Sequence, residues 1–243
     1  MNLSVIVPVF NEAGNVGPFV SLVREVIGQE NELIVVDDGS TDGTTDEIDT
    51  SKCRVLQHKV NKGKGAAMRS GIGDATGDVI MFIGGDGQDD PREIPDLLAA
   101  IEEGADFVIG SRFLLDPDLD LRGGDQQVRF SRDAVRPVNR LGNQVLTIVI
   151  RILFGVEATD SQAEFKCIRS DKLRALALQS DRYEIETEML IKAARDGLKI
   201  VEVPVHRYPR KHGSSKLYGI PLGRLKFGWR VIKTLVKGIL IWR

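Results

Sequence analysis

Short β-branched runs alternate with helical stretches through the first 110 residues, and this alternation limits the fold more than any other feature of the chain. Residues 3–9 and 32–36 read as strands, the first ended by Pro8 and Asn11, the second by Asp37-Asp38-Gly39-Ser40. Between them Val16, Phe19, Val20, Val23, Val26 and Ile27 recur at helical spacing. A strand, a helix and a second strand of this length make one parallel pair. Residues 54–57, 78–83 and 106–110 read as further strands, and 65–75 and 94–103 as helices. The pattern predicts an α/β fold with a mainly parallel central sheet flanked by helices. At 243 residues the chain is long enough for one large core.

In open α/β sheets ligands bind beyond the carboxyl ends of the strands. Those ends carry Asn11-Glu12, Asp37-Asp38 and, within residues 86–90, Asp86, Asp89 and Asp90. Acids on three successive strand tips exceed what turns require, although Asp and Gly also favour turns. Neither G-x-G-x-x-G after the first strand nor G-x-x-x-x-G-K-[ST] occurs, which argues against a dinucleotide fold and a P-loop. Lys62-Gly63-Lys64-Gly65 has the wrong spacing for a phosphate loop. The phosphates of a nucleotide ligand would therefore be neutralised through a divalent cation on carboxylates, and hard oxygen ligands suit Mg²⁺ or Mn²⁺.

Charge divides the chain. Of 33 Lys and Arg, ten lie in residues 205–243, which hold no Asp or Glu, leaving 23 bases against all 35 acids elsewhere. A basic tail on an acidic body points to an anionic partner. Nucleic acid is disfavoured by the acidic remainder and by the lack of a reading module. No run reaches the roughly 18 apolar residues of a membrane span; residues 145–156 come nearest and contain Arg151. No basic leader or cleavage site opens the chain, so a cytoplasmic protein is expected. Cys53 and Cys167 fit no ligand spacing and read as buried thiols.

Four ordered motifs, Val7-Pro8-Val9-Phe10-Asn11-Glu12, residues 35–44 (VVDDGSTDGT), Gly77-Asp78-Val79-Ile80 and Gly110-Ser111-Arg112-Phe113, closely resemble family 2 glycosyltransferases of the GT-A fold. Asp160-Ser161-Gln162, residues 183–190 (YEIETEML), Glu202-Val203-Pro204-Val205 and Gly213-Ser214-Ser215-Lys216-Leu217 resemble the dolichyl-phosphate mannose synthase branch. The resemblance covers nearly the whole chain. It implies inverting transfer of one sugar from a nucleoside-diphosphate sugar, of the GDP-mannose or UDP-glucose type, to a polyprenyl phosphate at the inner, cytoplasmic face of a membrane.

By the same resemblance, Pro8, Phe10, Glu12 and Asp38 hold the nucleoside, with Asp37 a structural neighbour. Asp86 and Gln88 belong to the site of a divalent cation (Mg²⁺ or Mn²⁺) and the diphosphate. Arg112, Arg210 and Lys216 meet phosphates and, with Asp86, form the catalytic set. Arg136, Arg140, Asn143, Ser214 and Ser215 face the acceptor phosphate and its lipid. Two departures stand out: Gly84 replaces the first Asp of the family's D-x-D, leaving Asp89 or Asp90 to compensate, and Glu164 replaces a Gly. Glu164 puts an acid close to where an anionic acceptor is expected.

A phosphate monoester is ionised near neutral pH, its second pKa being about 6, so it attacks an anomeric carbon without a protein base. The chemistry instead needs cations that hold two phosphorylated groups together. His58, His206 and His212 are accordingly read as ordinary structural or surface residues. In residues 225–243, Lys226, Arg230, Lys233 and Lys237 form one helical stripe, with Phe227, Trp229, Ile232, Leu235, Val236, Ile239 and Leu240 around much of the remaining circumference. Such a basic amphipathic helix lies naturally in a headgroup plane. A second apolar helix is expected at 138–154, and packing against the sheet or another subunit is the plain alternative for both. The expected division is a GT-A domain over 1–218 and a C-terminal amphipathic helix over 219–243. A processive synthase is disfavoured because Q-x-x-R-W is missing. Transfer to a soluble acceptor and a non-catalytic nucleotide-sugar-binding relative are the competing readings, and the oligomeric state stays open.

Overall fold

A computed structural model describes residues 1–114, 137–213 and 223–242. Seven strands form one sheet: β1 Leu3–Val9, β2 Glu32–Asp37, β3 Arg54–Gln57, β4 Val79–Phe82, β5 Phe107–Ser111, β6 Lys166–Arg169 and β7 Ile200–Pro204, in the order β3-β2-β1-β4-β6-β5-β7. All pairings are parallel except those of β6, which runs antiparallel to both β4 and β5. The helices are α1 Val16–Ile27, α2 Lys64–Asp74, α3 Ile94–Glu102, α4 Pro137–Phe154, α5 Ser170–Ala175, α6 Ile185–Arg195 and α7 Gly223–Leu240. The expected mainly parallel α/β sheet is what forms. The periodicity does not reveal β6, β7, α5 or α6, and among these β6 is the antiparallel strand.

Both faces of the sheet are covered, so its central strands are apolar at successive positions. Val5, Val7 and Val9 of β1 join Val35, Met81, Phe19, Val20, Leu97 and Ile101 in one buried layer. Ile6 joins Ile34, Val36, Phe82, Met68, Ile185 and Met189 in the other, as the two-residue period of a strand requires. Cys53 and Cys167 are free and buried. Pro8 sits near the end of a central strand without breaking a ladder. Ile6 O accepts from Ile83 N on the β4 side and Val9 O from Asp38 N on the β2 side. By alternation Pro8 faces β4, whose pairing stops at Ile6, so its missing N–H falls where no partner strand remains.

The order reverses between β1 and β4, the switch point at which α/β sheets open a crevice at their carboxyl edge. Because β7 runs parallel to β5, and β6 antiparallel to both β5 and β4, the carboxyl end of β7 reaches the same rim as those of β1, β2 and β4. The chain following β7 is thereby delivered to the acidic tips.

α2 presses on β1 through Gly71, where an added Cβ would stand 2.5 Å from Ile6 Cγ2. Gly71→Ala is expected to lower unfolding free energy in urea by about 1–3 kcal/mol, the usual cost of overpacking. A midpoint equal to that of the unsubstituted protein would show that α2 can shift freely.

Candidate active site

β1 gives way to a turn at Asn11, whose φ of 54° is left-handed, a region in which Asn is enriched. That turn is bound to the loop after β2: Asn11 N donates to Ser40 Oγ at 2.9 Å, Glu12 N to Thr44 Oγ1 at 2.7 Å, and Thr41 N to Asn11 Oδ1 at 2.8 Å. Asp37 is committed to its own turn, accepting from the Ser40 amide at 2.9 Å and hydroxyl at 2.6 Å. Asp38 accepts from His58 Nδ1 at 2.7 Å, Lys62 N at 2.9 Å and Gly63 N at 2.7 Å, while His58 Nε2 meets Ser70 Oγ at 2.9 Å. His58 thus has a structural place, and both oxygens of the buried Asp38 accept hydrogen bonds. Pro8 and Phe10 are half-buried beside this turn.

Two arginines from the chain after β7 enter the acidic rim. Arg210 Nη1 spans both oxygens of Glu12 at 2.7 and 2.6 Å, and its Nη2 donates to Asp86 Oδ2 at 2.7 Å. Arg207 donates to Asp89 Oδ1 at 2.7 Å and to Gln88 Oε1 at 3.0 Å, and lies 3.5 Å from Asp86 and 3.9 Å from Glu164. Gln88 Nε2 and O in turn bond the backbone of Tyr208 at 2.9 and 2.7 Å, fastening the two loops together. Deeper in, Lys64 Nζ pairs with Glu164 Oε1 at 3.0 Å and Glu186 Oε1 at 2.6 Å, and Lys166 reaches the other oxygen of Glu186. Cations and carboxylates alternate from the protein interior to the rim.

Burial alone would lower the pKa of Arg207 and Lys64, yet the surrounding carboxylates, Asp89, Asp86 and Glu164 for Arg207, Glu164 and Glu186 for Lys64, push both above the ordinary values. Burial would raise Glu164, but Lys64 and Arg207 outweigh it and hold the carboxyl well below the usual range. Burial does raise Glu12 and Asp89, against the pull of Arg210 and Arg207 respectively.

A second cluster centres on Asp160, which is fully buried. Arg112 grips it through Nε at 2.6 Å and Nη2 at 2.7 Å, and Asn143 Nδ2 donates at 2.7 Å. Arg112 and Arg140 both lie over the Phe113 ring, 5.6 and 5.7 Å from its centroid. Of the residues expected in the site, Glu12, Asp86, Gln88 and Arg210 therefore meet at the rim, and Arg112, Arg140 and Asn143 meet around Asp160 and Phe113. Asp38 stands with His58 and the 62–63 turn. Arg136, Ser214, Ser215 and Lys216 lie outside the described residues.

Arg207, Lys64 and Glu186 were not singled out as site residues from the sequence. The signal for Lys64 lay in its flanking glycines: an added Cβ would stand 2.4 Å from Asp181 O at Gly63 and 2.3 Å from Ser180 O at Gly65. The KGKG run is a close-packing device that brings Lys64 inward. Among the described residues no three His, Cys, Asp or Glu side chains stand ready to hold a metal ion, those at the rim being paired with Arg207, Arg210 or Lys64. The donors nevertheless fit a small divalent ion chemically. Asp89 Oδ2 is buried with no hydrogen-bond partner among the described residues, and it is the hard oxygen that Mg²⁺ or Mn²⁺ takes.

An open, mainly parallel sheet with acidic tips facing a basic loop across the switch point is the GT-A architecture of glycosyltransferases. Residues 4–159 match the family model for glycosyl transferase family 2, and the chain belongs to that family. It is 32% identical over 231 residues to an undecaprenyl-phosphate mannosyltransferase of Micrococcus luteus, covering 90% of this chain and 88% of that one. It is 30% identical over 212 residues to the glycosyltransferase AglJ of Haloferax volcanii, covering 87% of this chain but only 64% of the relative. A glucosyl-3-phosphoglycerate synthase of Mycobacterium tuberculosis, solved with Mn²⁺, uridine diphosphate and phosphoglyceric acid, superposes with a TM-score of 0.73 at 21% identity, over 99% of this chain and 79% of that one.

Burial would raise the Asp160 carboxyl, but Arg112 and hydrogen bonds hold it below the ordinary range. A depressed carboxyl contributes stability that is complete above its unfolded pKa of about 3.9 and is lost as pH falls through the lower folded value. Asp160→Asn, which leaves Arg112 buried and uncompensated, is expected to cost about 3–5 kcal/mol at neutral pH. In urea titrations the deficit should be constant above about pH 4 and shrink below it. A deficit independent of pH down to the acid transition would count against the pairing.

Proposed function

We propose that the chain transfers a single sugar, with inversion, from a nucleoside-diphosphate sugar to a polyprenyl phosphate at a membrane surface. The observation that carries this reading is the Arg210 fork, held between Glu12 and Asp86 at the carboxyl rim of the sheet. The similarity to the M. luteus undecaprenyl-phosphate mannosyltransferase supports the lipid acceptor. In this reading Pro8, Phe10, Glu12 and Asp38 receive the nucleoside, and Asp86 and Gln88 stand at the diphosphate. Arg210, Arg112 and Lys216 serve the phosphates, with Arg136, Arg140, Asn143, Ser214 and Ser215 on the acceptor side.

The acceptor phosphate is its own nucleophile, so no side chain has to remove a proton. The protein's task is to bring two anions together and to stabilise the charge that gathers on the leaving diphosphate. Arg210 suits this because its fork matches paired phosphate oxygens. In the ligand-free arrangement two carboxylates occupy that fork, and an incoming diphosphate takes their place. A bound divalent cation would share the same charge, as Mg²⁺ or Mn²⁺ does on phosphoryl oxygens.

The lipid side is read from α4 and α7. α7 leaves Leu225, Trp229, Ile232, Val236 and Ile239 exposed along one stripe, beside the exposed Lys226, Lys233 and Lys237 and the half-buried Arg230. α4 buries Asn143 and Thr147 beside the core residue Ile150, while Leu141, Val145, Ile148 and Ile152 are exposed. The helices meet where Gly238 approaches Phe154. No helix among the described residues is long and apolar enough to cross a membrane, so these faces suit the headgroup plane.

Incubation with labelled GDP-mannose or UDP-glucose and polyprenyl phosphate should move label into the organic phase. Arg210→Ala should cut that transfer about 10²- to 10³-fold, the scale of a lost transition-state donor. Label appearing only on a soluble acceptor would replace this reading. In flotation, replacing Lys226, Arg230, Lys233 and Lys237 by Gln should release the protein from anionic vesicles, each base contributing about 1 kcal/mol. Unchanged flotation would assign the stripe to another role.

A further inference from the structure

Gly84 and Glu164, the two departures from the family pattern, face each other across one strand pair. β4 and β6 pair in antiparallel register from Val79↔Arg169 to Phe82↔Lys166. Continued two residues beyond Phe82, that register sets position 84 opposite position 164. An ideal Cβ on Gly84 would stand 2.5 Å from Glu164 Oε2, 3.5 Å from Asp89 Oδ2 and 3.6 Å from Asp86 Oδ1. The Glu164 carboxylate therefore fills the volume that a side chain at 84 would take, and carboxylate oxygens from three residues surround it.

Two further facts point to a cation there. Asp89 is 3% exposed, and its Oδ2, one of the three oxygens, has no hydrogen-bond partner among the described residues. Glu164 is anchored from the far side by Lys64 at Oε1, 3.0 Å away, which leaves Oε2 turned toward Gly84. Lys64 thus acts as a brace that aims Oε2, which Arg207 Nη1 approaches only to 3.9 Å.

We propose that Glu164 supplies, from across the β4–β6 pair, the carboxylate that position 84 lacks, and that with Asp86 and Asp89 it binds a divalent cation. This rests on the reading that a cation-bridged nucleotide sugar occupies the rim. Arg207 keeps Asp89 Oδ1 and Arg210 keeps Asp86 Oδ2, and the ion takes the other oxygens of those carboxylates together with Glu164 Oε2. A side chain at 84 would have to move Glu164 Oε2 out of this position, so the two positions are expected to work as a pair.

The test is Mn²⁺ binding followed by electron paramagnetic resonance on the full chain, alone and with GDP or UDP. Glu164→Gln should weaken Mn²⁺ about tenfold or more. Glu164→Asp, which keeps the charge beside Lys64 but shortens the reach, should also weaken it, so a loss does not depend on one variant's folding. Gly84→Asp alone should bind poorly, and Gly84→Asp with Glu164→Gly should recover affinity to within about threefold of the unsubstituted protein. Unchanged Mn²⁺ affinity in both Glu164 variants, or no recovery in the double replacement, overturns the proposal. Nucleotide-induced thermal shifts in EDTA separate the two levels. Shifts that persist in a protein binding no Mn²⁺ sink the cation site and leave the donor site standing, whereas loss of both sinks both.

Discussion

The arrangement of the rim depends on a buried guanidinium. Arg207 is 9% exposed and has Asp89, Asp86 and Glu164 around it. Removing such a charge from water costs several kcal/mol, and only multiple close carboxylates offset that. Because Arg207 follows β7 while its partners flank β4 and β6, satisfying it draws three loops to one point. The same requirement explains Lys64, whose ammonium is compensated by Glu164 and Glu186; Lys166 also pairs with Glu186, although burial still lowers its pKa. The site is built outward from charge neutralisation in the interior, ending at the half-buried Arg210 and its buried partners Glu12 and Asp86.

Much of the fold was legible because strands covered on both faces must be apolar throughout. β1, β2, β4 and β5, and the helices between them, followed from that and from helical spacing. β6 did not. Lys-Cys-Ile-Arg is short, and two of its four residues are cationic. Lys166 is nevertheless 2% exposed because Glu186, twenty residues on, accepts from it. A compensation of that kind lies in contact across the fold, where periodicity has nothing to report.

The site divides in the same way. Glu12, Asp86, Gln88 and Arg210 stood in recognisable motifs and meet in the structure. Arg207, three residues before Arg210, had no motif of its own, and its importance comes from burial. Gly84 and Glu164 read separately as a lost ligand and a misplaced acid. The β4–β6 register, invisible until β6 was known to be antiparallel, makes them neighbours. Asp37 went the other way: an acid at a strand tip that does belong to its turn, as its bonds to Ser40 show.

The Arg210 fork, occupied by Glu12 and Asp86, has a further consequence. A bare arginine in an anion site gathers mobile counter-ions, and a ligand must release them, which makes affinity fall steeply as salt rises. Here the counter-ions are covalently part of the chain. Displacing them releases no bound anion to the solvent, so an anion entering this fork lacks that counter-ion release, and small inorganic anions must compete with two carboxylates already in place.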